Sequence, residues 1–142
     1  MKVLALGGSG GMGRFSSFAI SNYPNITKVT IADLNEDNAK EFSNFFDDRF
    51  TGIGLDVTDK EHLEKVMSGH DIVLNTTGPF FKFGLSILKS AIKCKCHYFD
   101  ICDDWEPTEE MLKLNDEALK NEITAIVGLG ASPGISNLLG LK

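Results

Sequence analysis

Short apolar runs alternate with longer amphipathic windows along the whole chain, and this alternation admits few folds. The runs are Val3–Leu6, Lys28–Ala32, Gly52–Val57, Asp71–Asn75, Cys96–Ile101 and Ile123–Val127. Each is short, and Val3–Leu6 is apolar on both faces, as strands of a buried parallel sheet are. The windows between them have helical spacing. Gly11–Asn22 is closed by Tyr23-Pro24-Asn25. A second helix opens at Asn35 as N-cap and runs to about Asp47, with Ala39, Phe42, Phe45 and Phe46 as its buried stripe. Thr58 and Glu61 have the spacing of a capping box, and Gly69 suits the end of that helix. A fourth helix follows Gly78-Pro79 to about Lys93. Pro107 suits the first turn of a fifth, with Glu109 and Glu110 near its positive end. Strand and helix in strict alternation predict a doubly wound α/β fold: a parallel sheet between two helical layers. Most of the 10 phenylalanines are expected in its core.

The first strand runs directly into Gly7-Gly8-Ser9-Gly10-Gly11-Met12-Gly13, and a helix follows. Gly8, Gly10 and Gly13 satisfy G-x-G-x-x-G in the strand-to-helix setting that a dinucleotide fingerprint needs. The first glycine makes a tight turn, the second lets the backbone approach a pyrophosphate, and the third allows close packing of helix on strand. The N–H groups of Gly10 to Met12, with Ser9 beside them, would face the diphosphate at a helix N-terminus. Asp33 ends the second strand, where an acid accepts hydrogen bonds from the adenosine ribose. Its carboxylate would repel a 2′-phosphate, and Leu34-Asn35-Glu36 supplies no arginine to receive one. The expected cofactor is therefore NAD, with NADP the alternative, in a Rossmann domain. Asp56 and Val57 would lie beside the adenine.

Gly7, Gly10 and Gly13 also fit G-x-x-G-x-x-G, the pattern of short-chain dehydrogenases. Those enzymes transfer protons through Tyr-x-x-x-Lys. Here Tyr23 and Tyr98 are followed four residues later by Thr27 and Cys102, so that machinery is absent. A non-catalytic NAD(P)-sensing module related to atypical short-chain dehydrogenases is the second reading.

The later half carries Asn75-Thr76-Thr77-Gly78-Pro79-Phe80, then His97-Tyr98-Phe99-Asp100, then Gly130-Ala131-Ser132-Pro133-Gly134. With the glycine loop, these ordered motifs resemble the N-terminal domain of the saccharopine dehydrogenase family across essentially the whole chain. The resemblance implies an NAD(P)-dependent oxidoreductase acting on the C–N bond of an amino acid. It places Thr76, Thr77, Gly78 and Pro79 against the nicotinamide half of the cofactor. It places Asp100 to Asp103 at the strand end facing the reaction site, with Asp100 and Asp103 the candidates for chemistry. Two positions depart from the family pattern. Lys95 stands where the family turns on Gly, and Ser132 where many members have Asp. The resemblance also implies residues 1–130 as the dinucleotide domain and 131–142 as the start of a connection to a substrate domain. On that reading the chain is an excised N-terminal domain that binds cofactor without turning over substrate.

Composition narrows the classes further. With 14 basic and 20 acidic residues the formal charge is −6, against the clustered cations a nucleic-acid binder needs. No apolar run approaches the ~18 residues of a membrane span, and none has the makeup of a signal peptide. Three cysteines are an odd number and no disulfide framework, which suggests a reducing cytoplasm. Cys94-x-Cys96-His97, with Cys102, lacks zinc-knuckle spacing, so no metal is expected. His62 and His70 are expected at the surface and Trp105 in packing. Asp104 is open between substrate contact and loop acid. Expected partners are the dinucleotide and, in the full-length enzyme, a small amino acid; a homodimer is among the assemblies this allows.

Overall fold

The computed structural model describes residues 1–141. Six strands form one parallel sheet: β1 Lys2–Leu6, β2 Lys28–Asp33, β3 Phe50–Gly54, β4 Ile72–Asn75, β5 His97–Asp100 and β6 Ala125–Ile126. Their spatial order is β3-β2-β1-β4-β5-β6. Seven helices connect and follow them: α1 Gly11–Ser21, α2 Glu36–Ser43, α3 Lys60–Met67, α4 Phe80–Lys93, α5 Trp105–Leu112, α6 Asn115–Lys120 and α7 Ser136–Gly140. A wide turn, Ala131–Ile135, precedes α7.

The apolar runs form strands because both of their faces are covered. Leu4 and Leu6 pack with Leu63 and Met67 of α3 and Ile87 and Leu88 of α4. Val3, Val29 and Ile31 pack on the opposite face with Ala39 and Phe42 of α2. Each such side chain contributes roughly 1.5–3 kcal/mol when fully buried. The three-layer, doubly wound architecture read from the alternation is the one observed. The chain winds from β1 outward to β3, then crosses back to place β4 on the other side of β1. The carboxyl ends of β1 and β4 therefore diverge, and this switch point is where an open α/β sheet binds ligands.

Several local expectations are corrected. Strand β3 begins at Phe50, not Gly52, and ends at Gly54, although the Leu55 N–H still reaches the Asp33 carbonyl at 2.8 Å. Asp59, not Thr58, caps α3, its Oδ1 accepting from the His62 N–H at 3.1 Å. Thr58 is drawn off to Asp56, to which both its N–H and hydroxyl donate. The helix expected around Pro107 is two helices, broken at Lys113 and Leu114. Phe45 lies beyond the end of α2 and is exposed, as are Phe15, Phe18, Phe81 and Trp105. His70 is half-buried, between the Thr30 hydroxyl at 2.8 Å and the Val66 carbonyl at 2.8 Å. Burial lowers its pKa. Asn35 does cap α2, accepting from the Asn38 N–H at 3.0 Å.

Lys95 turns the chain from α4 into β5 with φ = 58°, a left-handed conformation that costs a residue with a Cβ about 1 kcal/mol or more. Its departure from glycine thus sits at a position whose backbone favours glycine. Lys95→Gly should raise stability by about 0.5–1 kcal/mol and the melting temperature by about 2–4 °C. A calorimetric scan showing a lowered melting temperature would contradict this.

Candidate dinucleotide site

A crevice of about 300 Å³ opens at the switch point, lined by Gly7, Gly10, Ala32, Asp33, Leu34, Leu55, Asp56, Val57, Thr76, Thr77, Gly78 and Phe83. Four loops, each following a strand, thus bring the predicted Gly10, Asp33, Asp56, Val57, Thr76, Thr77 and Gly78 together. The shape of the first loop depends on its glycines. Gly7 has φ = +66°, so it makes the tight turn that the pattern assigns to Gly8. Thr76 and Thr77 backbone atoms would lie 3.1 Å from any Cβ at Gly7. At Gly13 a Cβ would stand 2.2 Å from the Gly7 carbonyl oxygen and 2.6 Å from Gly8 Cα. Only glycine there lets α1 start directly on the turn, the role expected of the third glycine.

Gly10 donates its N–H within the turn, to the Gly7 carbonyl at 3.0 Å, and Arg14 N–H closes the first helical bond on Gly10 at 2.9 Å. The N–H groups of Gly11, Met12 and Gly13 find no protein acceptor among the described residues. The amides left free at the start of α1 are therefore those of Gly11 to Gly13, while that of Gly10 is spent within the turn. Gly8 and Ser9 lie beneath them, buried. Pro79 follows the crevice wall as the N-cap residue of α4.

Asp33 stands at the end of β2 with its Oδ2 occupied: Ser9 donates its hydroxyl at 2.7 Å and its N–H at 3.3 Å. Its Oδ1 has only a long 3.5 Å contact from the Asn35 N–H. One carboxylate oxygen therefore braces the glycine loop and the other is left to accept from a ligand. Asp56 has the Thr58 hydroxyl and N–H on one oxygen, and these hold its carboxyl below the usual range. Thr76 Oγ1 donates to the Leu6 carbonyl at 2.8 Å, tying β4 to β1. The Thr77 Oγ1 is buried with no hydrogen-bond partner among the described residues. A buried orphan hydroxyl at the crevice wall is what a polar ligand group would satisfy.

The two acids considered for chemistry are placed apart from the crevice lining. Asp100 is 0% exposed. Its Oδ1 accepts the N–H groups of Cys102 at 3.0 Å and Gly128 at 2.8 Å, and its Oδ2 accepts the Tyr98 hydroxyl at 2.8 Å. Burial, reinforced by the adjacent Asp100 charge, pushes the Tyr98 hydroxyl well above the usual phenol range, so it stays a donor. Asp103 is exposed on the loop after β5. Asp104 is drawn into structure, accepting the Phe81 N–H of the first turn of α4 at 3.3 Å. Cys94, Cys96 and Cys102 are free thiols, and burial pushes Cys96 up to about 11.

Pattern reading does not single out the apolar walls Leu34, Leu55 and Phe83. It also passes over Arg14, whose Nε donates to the Ser9 carbonyl at 2.8 Å and whose guanidinium lies 4.6 Å over the Phe42 ring. The signal was adjacent: Arg14 directly follows the last glycine.

A parallel sheet in this order, with a glycine turn, an acid at the end of β2 and a crevice at the switch point, defines a dinucleotide-binding α/β domain. A family model described as Saccharopine dehydrogenase NADP binding domain matches residues 3–126. The chain belongs to that family. It is 32% identical over 90 residues to the saccharopine dehydrogenase (NADP(+), L-glutamate-forming) of Saccharomyces cerevisiae, spanning 63% of this chain and 19% of that one. The corresponding Pyricularia oryzae protein is 30% identical over 115 residues, spanning 81% of this chain and 24% of that one. The apo saccharopine dehydrogenase (L-Glu forming) structure from Saccharomyces cerevisiae superposes with a TM-score of 0.83 at 28% identity, covering 99% of this chain and 29% of that one. The chain thus spans about a fifth to a quarter of the curated relatives it matches. Among the described residues, no helix is long and apolar enough to cross a membrane.

Proposed function

We propose that this chain is the nicotinamide-dinucleotide-binding domain of a saccharopine-dehydrogenase-like oxidoreductase acting on the C–N bond of an amino acid. The observation that carries this is the crevice itself, where the glycine loop, Asp33 and Thr76 to Gly78 meet at the switch point. Gly11, Met12 and Gly13 would hold the pyrophosphate through their free amides and the positive end of α1. The free Oδ1 of Asp33 would accept a ribose hydroxyl. Thr77, with its unpartnered hydroxyl, would face the nicotinamide half. When bound, the nicotinamide supplies the hydride chemistry, and the protein supplies orientation and electrostatics. Residues 1–130 form the binding unit in this reading, and 131–142 lead toward a substrate-binding part. Asp103, exposed at the strand end, remains the acid free to meet a substrate amine.

Calorimetric titration with NADH and NADPH tests the reading. Absence of binding by either at millimolar concentration would reject it. Asp33→Ala should weaken NAD by about 10-fold, the loss of one charge-assisted hydrogen bond, and narrow its standing relative to NADP. Equal, unchanged affinities for both cofactors would remove Asp33 from the ribose site.

A further inference from the structure

The acid at the end of β2 and the family description pull in opposite directions. A carboxylate beside the ribose repels a 2′-phosphate, yet the family is described as NADP binding. We infer that Arg14 is the specificity-determining residue that admits the 2′-phosphate, giving this site use of both NADP and NAD. The inference rests on the dinucleotide reading above.

Arg14 is exposed in the first turn of α1, and two contacts fix its direction. Nε donates to the Ser9 carbonyl, and the guanidinium lies over the Phe42 ring of α2. Both terminal nitrogens are left without a hydrogen-bond acceptor, and Arg14 forms no ion pair, among the described residues. Arg49, by contrast, spends its guanidinium on Asp47 and on the Ser21, Tyr23 and Ile26 carbonyls.

Ser9 links the two charges. Its N–H and hydroxyl hold Asp33, and its carbonyl holds Arg14. Asp33 Oδ2 is thereby held by Ser9 and not by Arg14, and the terminal nitrogens of Arg14 stay available. A ribose hydroxyl bonded to Asp33 would thus sit against the residue whose carbonyl holds the Arg14 guanidinium. A phosphate on the 2′ oxygen would gain a planar, preoriented partner whose two terminal nitrogens are free to donate, as arginine does to phosphate oxygens. Asp33 and Arg14 then act in opposition: the acid favours the free 2′-hydroxyl and the arginine offsets its repulsion of the phosphate.

Calorimetric titration of this chain and of Arg14→Ala and Arg14→Lys with NAD and NADP tests the assignment. The unmodified chain should bind both, with affinities within about 10-fold of each other. Arg14→Ala should weaken NADP by about 10-fold or more while NAD stays within about 2-fold, and it should flatten the salt dependence of NADP binding. Arg14→Lys should keep part of the NADP affinity, because the charge remains while the stacked fork is lost. An equal loss for both cofactors would overturn the inference, assigning Arg14 only to bracing the loop through Ser9. No loss for either would overturn it as well. Failure of the unmodified chain to bind either cofactor would instead reject the dinucleotide reading, and the inference with it. Matching unfolding midpoints for the three proteins keep the comparison free of folding defects.

Discussion

Gly13→Ala should weaken dinucleotide binding by about 100-fold, which is about 2.7 kcal/mol, and lower stability by about 1–3 kcal/mol. The new methyl would meet the Gly7 carbonyl oxygen at 2.2 Å and Gly8 Cα at 2.6 Å. Both obstacles are backbone, so no rotamer relieves them. Helix α1 would have to draw back from the turn by about an ångström, since carbon and oxygen ordinarily meet at roughly 3.4 Å or more. That movement carries the amides of Gly11 to Gly13 with it, and the Arg14 N–H bond to Gly10. Gly11→Ala is the folding control. A Cβ at Gly11 meets nothing within 4 Å, so its melting temperature should stay within about 2 °C or rise. Titration with NADH and a thermal scan of both variants check this. Full affinity in Gly13→Ala would mean that the helix start does not position the cofactor.

The architecture was legible because its determinants are local. Val3 to Leu6 announces a strand by being apolar on both faces, and Asn35 announces a helix start by its side chain. The glycine turn was legible for the same reason, though its positive φ falls on Gly7 and not Gly8. The rest depends on distant partners. His70 lies half-buried because Thr30, forty residues earlier, meets its ring. Arg14 follows the last glycine in sequence, yet what aims its guanidinium is Phe42 on another helix. The break between α5 and α6 at Lys113 and Leu114 carries no glycine or proline, so helical spacing reads through it. Phe15, Phe18 and Phe45 show why residue type misleads: all three have helical or near-helical positions, yet all three are exposed.

Asp100 shows the same limit most sharply, and it carries the second large effect. At a strand end facing the expected reaction site, an aspartate reads as a candidate for chemistry. Within the fold it is fully buried, and three donors converge on it: Tyr98 from its own strand, Cys102 just after it, and Gly128 after β6. Asn75 extends the network, donating to the Tyr98 hydroxyl at 3.0 Å while accepting the Thr77 N–H at 3.0 Å. The carboxylate thus ties the exits of β5 and β6 directly, and that of β4 through Tyr98 and Asn75. Asp100→Ala leaves two backbone N–H groups and a phenol without acceptors. Each costs roughly 1–3 kcal/mol when buried, so a total loss of about 3–5 kcal/mol is expected, a large part of a typical domain's stability. Asp100→Asn keeps the acceptor for Cys102 and Gly128 but turns an N–H₂ toward Tyr98. Asn75 already donates to that hydroxyl, and the raised phenol pKa keeps its proton in place, so the Tyr98 O–H loses its acceptor. About 1–3 kcal/mol should be lost. Urea unfolding should therefore rank the midpoints as unmodified, then Asn, then Ala. An Asp100 without this structural role predicts the opposite pattern, an Asn variant that unfolds at the original midpoint. An unshifted midpoint would remove the structural role assigned to Asp100.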